Sequence, residues 1–343
     1  MKRLKTSEIK EIIQSGHLNF LIGSGCSQPY LSTVSNIETE MNDKKTQEKA
    51  QKEYYQIIRK SLAVLKESRE TDSSETKKLK NTKQNYEKFI YLLVTSLSRR
   101  RLQIVNRQAN IFTTNFDMFL ENSCELLGVP YNDGFTGQIN RLFNASNFSQ
   151  ILKYKSLQFD NTSDIPLINI IKLHGSVSWM TDNKEKSIHY SDGAHIPLKL
   201  DEKSGQDFSK GYEKIAVVNP DAKKHFETVL DTNYAAMLRK FTLELEKENS
   251  VLVIIGFSLD DKHIRELLYG VMKTNPTLVV IFYSYSKYDE AQDSLEEKKN
   301  ANFYVISPES NDEAHKQAFD RSTDNFFSVI NNSNNKKSRD EGE

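Results

Sequence analysis

Cysteine is nearly missing from this chain: Cys26 and Cys124 are the only two among 343 residues. Two thiols exclude a disulfide framework and a four-cysteine zinc site. No apolar run approaches the roughly 18 residues that a membrane-spanning helix needs, and the charged N-terminus lacks the pattern of a secretory signal. The expectation is a soluble, cytoplasmic protein. An excess of charge is also missing, since Lys plus Arg and Asp plus Glu each number 47. Neither nucleic acid nor an anionic membrane is therefore expected as a direct partner. The short basic spots Arg99-Arg100-Arg101 and Lys223-Lys224 read as solvated helix faces. Glycine and proline are absent from Ser35 to Gln108, which excludes a turn-rich segment there. The histidines are scattered, so no metal site is expected.

What is present is a rhythm of short apolar runs separated by helical patterns. Leu18–Ile22, Asn110–Phe112, Leu167–Leu173, Ile215–Val218, Val251–Ile255, Thr277–Tyr283 and Asn302–Ile306 are continuous rather than alternating. Strands covered on both faces look like this. Phe226, Val229, Leu230, Met237, Leu238 and Phe241 recur at helical spacing, as do Ile264, Leu267, Leu268, Val271 and Met272. Strand alternating with helix predicts an α/β fold, a Rossmann-like doubly wound parallel sheet. One domain is expected over residues 1–330, followed by a disordered polar tail over 331–343. A helical insertion occupies 35–108, with Tyr54, Ile57, Ile58, Leu62, Val64 and Leu65 as its apolar positions and a polar, exposed connection over Glu67–Asn85. A second insertion, 181–211, reads as a long loop or a small hairpin.

Chemistry gathers where strands end. After Leu18–Ile22 comes Gly23-Ser24-Gly25-Cys26-Ser27, a turn whose amides could meet a diphosphate. It lacks the third glycine of a dinucleotide fingerprint, Gln28 standing there, and a bare strand–turn–helix explains it equally well. After the next strand comes Thr113-Thr114-Asn115-Phe116-Asp117. Asn115 offers a donor and an acceptor to ribose hydroxyls or to a water. Asp117 braces the loop or caps the helix that starts near Met118. Lys172-Leu173-His174-Gly175 closes a third apolar run, and an imidazole there suits general-base work. Val253-Ile254-Ile255-Gly256-Phe257-Ser258-Leu259-Asp260-Asp261 is the fourth exit. Gly256 would admit a ligand against the backbone and Ser258 could bond it, or Ser258 or Asp260 could cap the next helix.

Taken in order, these four motifs resemble the sirtuin (silent information regulator) family through its glycine loop, Asn/Asp motif, Leu-His-Gly histidine and Gly-x-Ser segment. The resemblance implies NAD+ as substrate, while the two cysteines and scattered histidines leave no metal expected. It implies that Gly23, Ser24, Gly25 and Ser27 line the diphosphate and that Asn115 and Asp117 address the nicotinamide ribose. His174 would be the catalytic base, with Asn115 catalytic beside it, and Gly256 and Ser258 would hold the adenosine half. Two departures matter. Gln28-Pro29-Tyr30-Leu31 stands where protein-deacylating sirtuins carry Asp-Phe-Arg, and no cysteine follows Cys124 to build their zinc module. The wording of the motifs is closer to the bacterial sirtuin-like NAD hydrolases of antiphage defence. The implied activity is NAD+ glycohydrolysis to nicotinamide and ADP-ribose. An NAD-dependent protein deacylase and a non-catalytic NAD- or ADP-ribose-sensing subunit are the alternatives. The same resemblance implies a HerA-like hexameric ATPase as partner, and the helical insertion is expected to build a homo-oligomer.

Overall fold

In the computed structural model, the described residues are 6–33, 37, 40, 46–62, 64, 73–100, 105–182, 187–191, 215–217, 232–259, 261–286, 302–308 and 318–328. The expected tail, 331–343, and most of the 181–211 insertion lie outside them. Seven parallel strands form the central sheet: β1 (His17–Ile22), β2 (Gln108–Thr113), β3 (Tyr131–Asn132), β8 (Leu167–Lys172), β12 (Ser250–Ile255), β13 (Val279–Tyr283) and β14 (Phe303–Ile306). Between β3 and β8 lie the short antiparallel strands β4 (Phe135–Thr136), β5 (Leu142–Phe143), β6 (Lys153–Lys155) and β7 (Thr162–Asp164). Their spatial order is β14-β13-β12-β1-β2-β8-β3. Without the short edge strand β3, this is the Rossmann order, with the chain reversing direction between β1 and β12. The expected Rossmann-like doubly wound sheet is thus the observed one. Ligands of such sheets bind outside the carboxyl ends of the strands at that reversal.

Successive residues of each strand point to opposite faces, which divides the core in two. Phe20, Ile22, Ile111 and Val253 are buried beneath α1 (Thr6–Ser15), α2 (Gln47–Leu62), α3 (Ser74–Ser98) and α4 (Phe119–Leu126). Leu21, Phe112, Leu252 and Ile254 are buried beneath α5 (Thr232–Leu245) and α6 (Lys262–Thr274). A further helix, 319–328, brings Phe326 and Phe327 onto Phe20, with ring centroids 5.7 and 6.4 Å away. Its pattern passed unread in the sequence, because three aromatics in so short a segment do not display a period.

Several expectations change here. Ile215–Val217 is β11 and pairs antiparallel with β9 (Gly175–Asp182), so it belongs to a second, five-stranded sheet and not to the parallel one. β9 forms a hairpin with β10 (Ser187–Tyr190) that takes in only the start of the second insertion, whose residues 192–211 lie outside the described ones. Ser74–Asn85, read as an exposed connection, is the first half of α3. Ser73 caps it by accepting a hydrogen bond from the Thr76 N–H at 3.2 Å, and Leu79 and Thr82 are buried. Arg100 is buried rather than solvated, donating to the carbonyls of Ile13, Gly16 and Asn106. Tyr54, Ile57, Ile58 and Leu62 are buried in this chain's own core, so these side chains of the insertion are not free to bind a neighbour. Leu65 lies outside the described residues.

At the amino ends of the strands the sheet interior is polar. Asn19, Asn110 and Asn169 stand in register on β1, β2 and β8 and bond in a row, each link 2.8 Å. Asn110 also donates to Glu244 at 3.1 Å, and Lys240 and Lys247 flank that carboxylate. A polar cavity of about 200 Å³ opens beside them, lined by His17, Asn110, Asn169, Lys240 and Glu244 among others. No helix among the described residues is long and apolar enough to cross a membrane.

Candidate active site

All four strand exits singled out in the sequence lie at the carboxyl edge of the sheet, around the point where its order reverses. Glycine is required there by the contact of two loops. A Cβ on Gly23 would lie 2.4 Å from the Gly256 carbonyl oxygen, and one on Gly256 would lie 2.6 Å from both the nitrogen and the sulfur of Cys26. Gly256 also has φ 64°, which side chains other than glycine rarely adopt. The loops are tied by Gly23 N–H to the Ile255 carbonyl and Gly25 N–H to the Gly256 carbonyl, both 3.0 Å. Ser24-Gly25-Cys26-Ser27 winds as one 3₁₀ turn, of which Ser24 and Gly25 are the part open to solvent. Burial, then the charge of Asp117, pushes the Cys26 thiol far above its ordinary range. It donates to the Ile255 carbonyl and is no nucleophile.

Asn115 follows β2 and is buried. Its amide nitrogen sits 3.0 Å from the Gly23 carbonyl, 3.2 Å from Ser27 Oγ and 3.3 Å from the Tyr86 hydroxyl. A carbonyl can only accept, so Gly23 forces the nitrogen toward itself and the Asn115 oxygen away. That oxygen, Oδ1, is buried and has no partner among the described residues. An unpaired buried acceptor costs about 1–3 kcal/mol, so its retention calls for a reason.

Asp117 braces this arrangement. One carboxylate oxygen accepts from Ser27 Oγ at 2.6 Å and the other from the Phe119 N–H at 3.2 Å, at the start of α4. Ser27 in turn meets the Tyr86 hydroxyl at 2.9 Å. Burial raises the Asp117 carboxyl above its usual range, opposed by Lys172 and by these hydrogen bonds. Lys172, the last residue of β8, is itself buried. Its ammonium donates to the carbonyls of Asp117 and Asn115 and pairs with Glu121 of α4 at 3.1 Å. A buried cation therefore pins the backbone on which Asn115 and Asp117 are carried.

His174 occupies the turn between β8 and β9, where Gly175 has φ 78°. The turn is held by Leu173 N–H to the Thr113 carbonyl, 2.8 Å, and Val177 N–H to the Phe116 carbonyl, 3.0 Å. The exits carrying Asn115 and His174 therefore adjoin, as β2 and β8 do. His174 Nε2 lies 3.2 Å from Asp261 Oδ2. Asp261, and not Ser258, caps α6, accepting from the N–H groups of His263 and Ile264. Ser258 is exposed, and Asp260 lies outside the described residues. No group of three His, Cys, Asp or Glu side chains among the described residues could hold a metal ion.

The structure thus joins Ser27, Asn115 and Asp117 in one hydrogen-bonded cluster and packs Gly23 and Gly25 against Gly256. It adds four residues that the sequence argument passed over. Tyr86 comes from α3, so the helical insertion reaches the site itself. Lys172 and Glu121 form the buried pair, and Asp261 faces the histidine. Of these only Lys172 carried a visible signal, a lysine inside an apolar strand. A family profile described as SIR2-like domain matches residues 109–306, more than half of the chain. The match takes in Asn115, Asp117, His174, Gly256 and Ser258, while the Gly23 loop precedes it. A search of curated proteins finds no match.

Proposed function

The chain belongs to the SIR2-like family, whose members are NAD-dependent, and from that premise we propose that it is an NAD+ glycohydrolase releasing nicotinamide and ADP-ribose. The observation that carries the reading is Asn115 Oδ1, a buried acceptor with no partner among the described residues, at the exit of β2 beside the reversal between β1 and β12 and one strand from His174. NAD+ supplies the donors such an acceptor lacks, either a ribose hydroxyl or the water that attacks C1′. The bond broken is N-glycosidic, with an oxocarbenium-like transition state as in other glycoside hydrolyses. Nicotinamide leaves as a neutral molecule from a cationic ring, so no acid is needed to protonate it. The protein has to orient the ribose, limit water to one attacking molecule, and accept one proton. In this reading Asn115 orients and His174 accepts. Ser24 and Gly25 meet the diphosphate, and Ser258 meets the adenosine half.

Purified full-length chain incubated with NAD+ should yield nicotinamide and ADP-ribose in equal amounts without any acyl-lysine peptide. Turnover only on addition of an acetylated peptide would make it a deacylase. Binding without turnover would make it a sensor. Unrestrained NAD+ cleavage would drain a cell, so control is part of the proposal. We place the protein as an NAD-depleting effector of antiphage defence in the cytoplasm, acting as a homo-oligomer with a HerA-like ATPase as its partner. The buried face of α2 does not serve that assembly.

A further inference from the structure

We propose that Asp261 is a positioning residue that fixes the tautomer and orientation of His174 from across the crevice. The inference rests on the glycohydrolase reading. The contact is not one that sheet neighbours would make by default. His174 leaves β8 and Asp261 follows β12, with β2 and β1 between them. At the usual strand spacing of about 4.8 Å, those exits stand about 14 Å apart. The loop after β12 has to fold back over the strand ends to bring Asp261 Oδ2 within 3.2 Å of His174 Nε2.

It does so with two left-handed residues, Gly256 at φ 64° and Leu259 at φ 63°. Leucine pays a steric penalty in that conformation, and such strain persists where the surroundings impose it. Arg265 holds the bend by donating to the Leu259 carbonyl at 2.9 Å. The two oxygens of Asp261 have separate tasks. Oδ1 accepts from the His263 and Ile264 N–H groups, at 3.2 and 3.4 Å, anchoring the carboxylate at the N-terminus of α6, where negative charge is favoured. Oδ2 faces the imidazole. A helix cap needs only one oxygen, so capping leaves the second contact unexplained.

A carboxylate facing Nε2 keeps the proton on that nitrogen and leaves the lone pair on Nδ1. In the hydrolytic step the water oxygen bonds to C1′ as the C1′–N bond breaks, its electron pair leaving with nicotinamide. The water's proton passes to Nδ1, and the imidazolium formed is stabilised by the charge of Asp261. The same division of labour places an aspartate behind the histidine of serine proteases.

Asp261→Asn separates the two tasks, because its amide oxygen still caps α6 while an N–H group replaces the acceptor that faced Nε2. Asp261→Ser, which caps but does not reach the imidazole, is the second variant. Both should melt within about 4 °C of the wild type, the loss of the helix-end charge included, and keep a KM for NAD+ within about twofold. Each should lose about 10²-fold in kcat, the lower end of what general-base assistance contributes. Ring-nitrogen NMR on ¹⁵N-histidine-labelled full chain, with His174→Ala for assignment, should show the Nε2–H form in the wild type and its loss in Asp261→Asn. Wild-type kcat in both variants, or a His174 ring spectrum indifferent to residue 261, would overturn the proposal. So would activity lost only in proportion to folded protein. Absence of turnover in the wild type would defeat the glycohydrolase reading alone, since the ring-nitrogen spectra still decide whether Asp261 sets the tautomer.

Discussion

Asn115→Ala and His174→Ala should each lower nicotinamide release by about 10²–10⁴-fold, the range that positioned proton transfer contributes. Both side chains are proposed for a single chemical step, so the double variant should lose little more than either single one. The two substitutions differ in what they leave behind. His174→Ala removes a side chain that is mostly buried, 13% exposed, from a turn whose backbone hydrogen bonds remain, so the chain should still fold with a modest loss of stability. Asn115→Ala removes the donor to the Gly23 carbonyl but also deletes Oδ1, which has no partner among the described residues, and the two changes oppose each other in stability. Asn115→Asp is the sharper variant, since it sets a carboxylate oxygen against the Gly23 carbonyl. Initial rates of nicotinamide release, read beside circular dichroism melts, check all three. Near wild-type rates in both alanine variants would remove Asn115 and His174 from the chemistry.

Lys172→Met should be the most destabilising single change at the site, by about 3–5 kcal/mol, because it strands Glu121 as a buried charge without its partner. Burial already raises the Glu121 carboxyl, with Lys172 the main influence holding it down. Without Lys172, Glu121 binds its proton in the folded state at a pH where the unfolded chain has released it. A carboxyl whose folded pKa is raised weakens the fold as pH rises, so the deficit of Lys172→Met should grow from acidic to alkaline pH. Lys172→Met combined with Glu121→Leu replaces the pair by apolar groups and should recover much of the stability. It should not recover activity, because the carbonyls of Asn115 and Asp117 still lack the ammonium that pins them. Denaturant melts at several pH values, read with turnover of the double variant, test both halves. A double variant as active as wild type would show that Lys172 serves the fold alone.

The parallel sheet was legible because its strands are apolar on both faces, a pattern that needs no knowledge of partners. Val251–Ile255 matches β12 but for one residue, and Leu18–Ile22 matches β1 but for one. The four exits were legible for the same reason: each motif sits directly after such a run. The second sheet was not, since Phe135–Thr136 and Leu142–Phe143 are two-residue strands with no period to detect. Its core is aromatic instead, with Phe143 and Trp179 centroids 4.9 Å apart. Tyr86 stayed hidden because its importance lies in contacts with Ser27 and Asn115, 59 and 29 residues away in sequence. Asp261 stayed hidden too: the cap of α6 was sought at Ser258 or Asp260, and nothing local marks Asp261 as the neighbour of a histidine that leaves the sheet three strands away. Arg100 shows the converse error. A run of three arginines looks solvated until the carbonyls at the end of α1 and before β1 claim the middle one.

Amide hydrogen exchange with and without carbocyclic NAD+, an analogue whose glycosidic bond cannot be hydrolysed, tests the location of the site without depending on turnover. The expected result is protection at Ser24–Ser27, at Thr114–Asp117, at Leu173–Ser176, from Gly256 to Leu259 and at Asp261, all at the carboxyl edge of the sheet. Protection confined to the opposite edge, around His17, Asn110, Asn169 and Lys240 where the polar cavity opens, would contradict it.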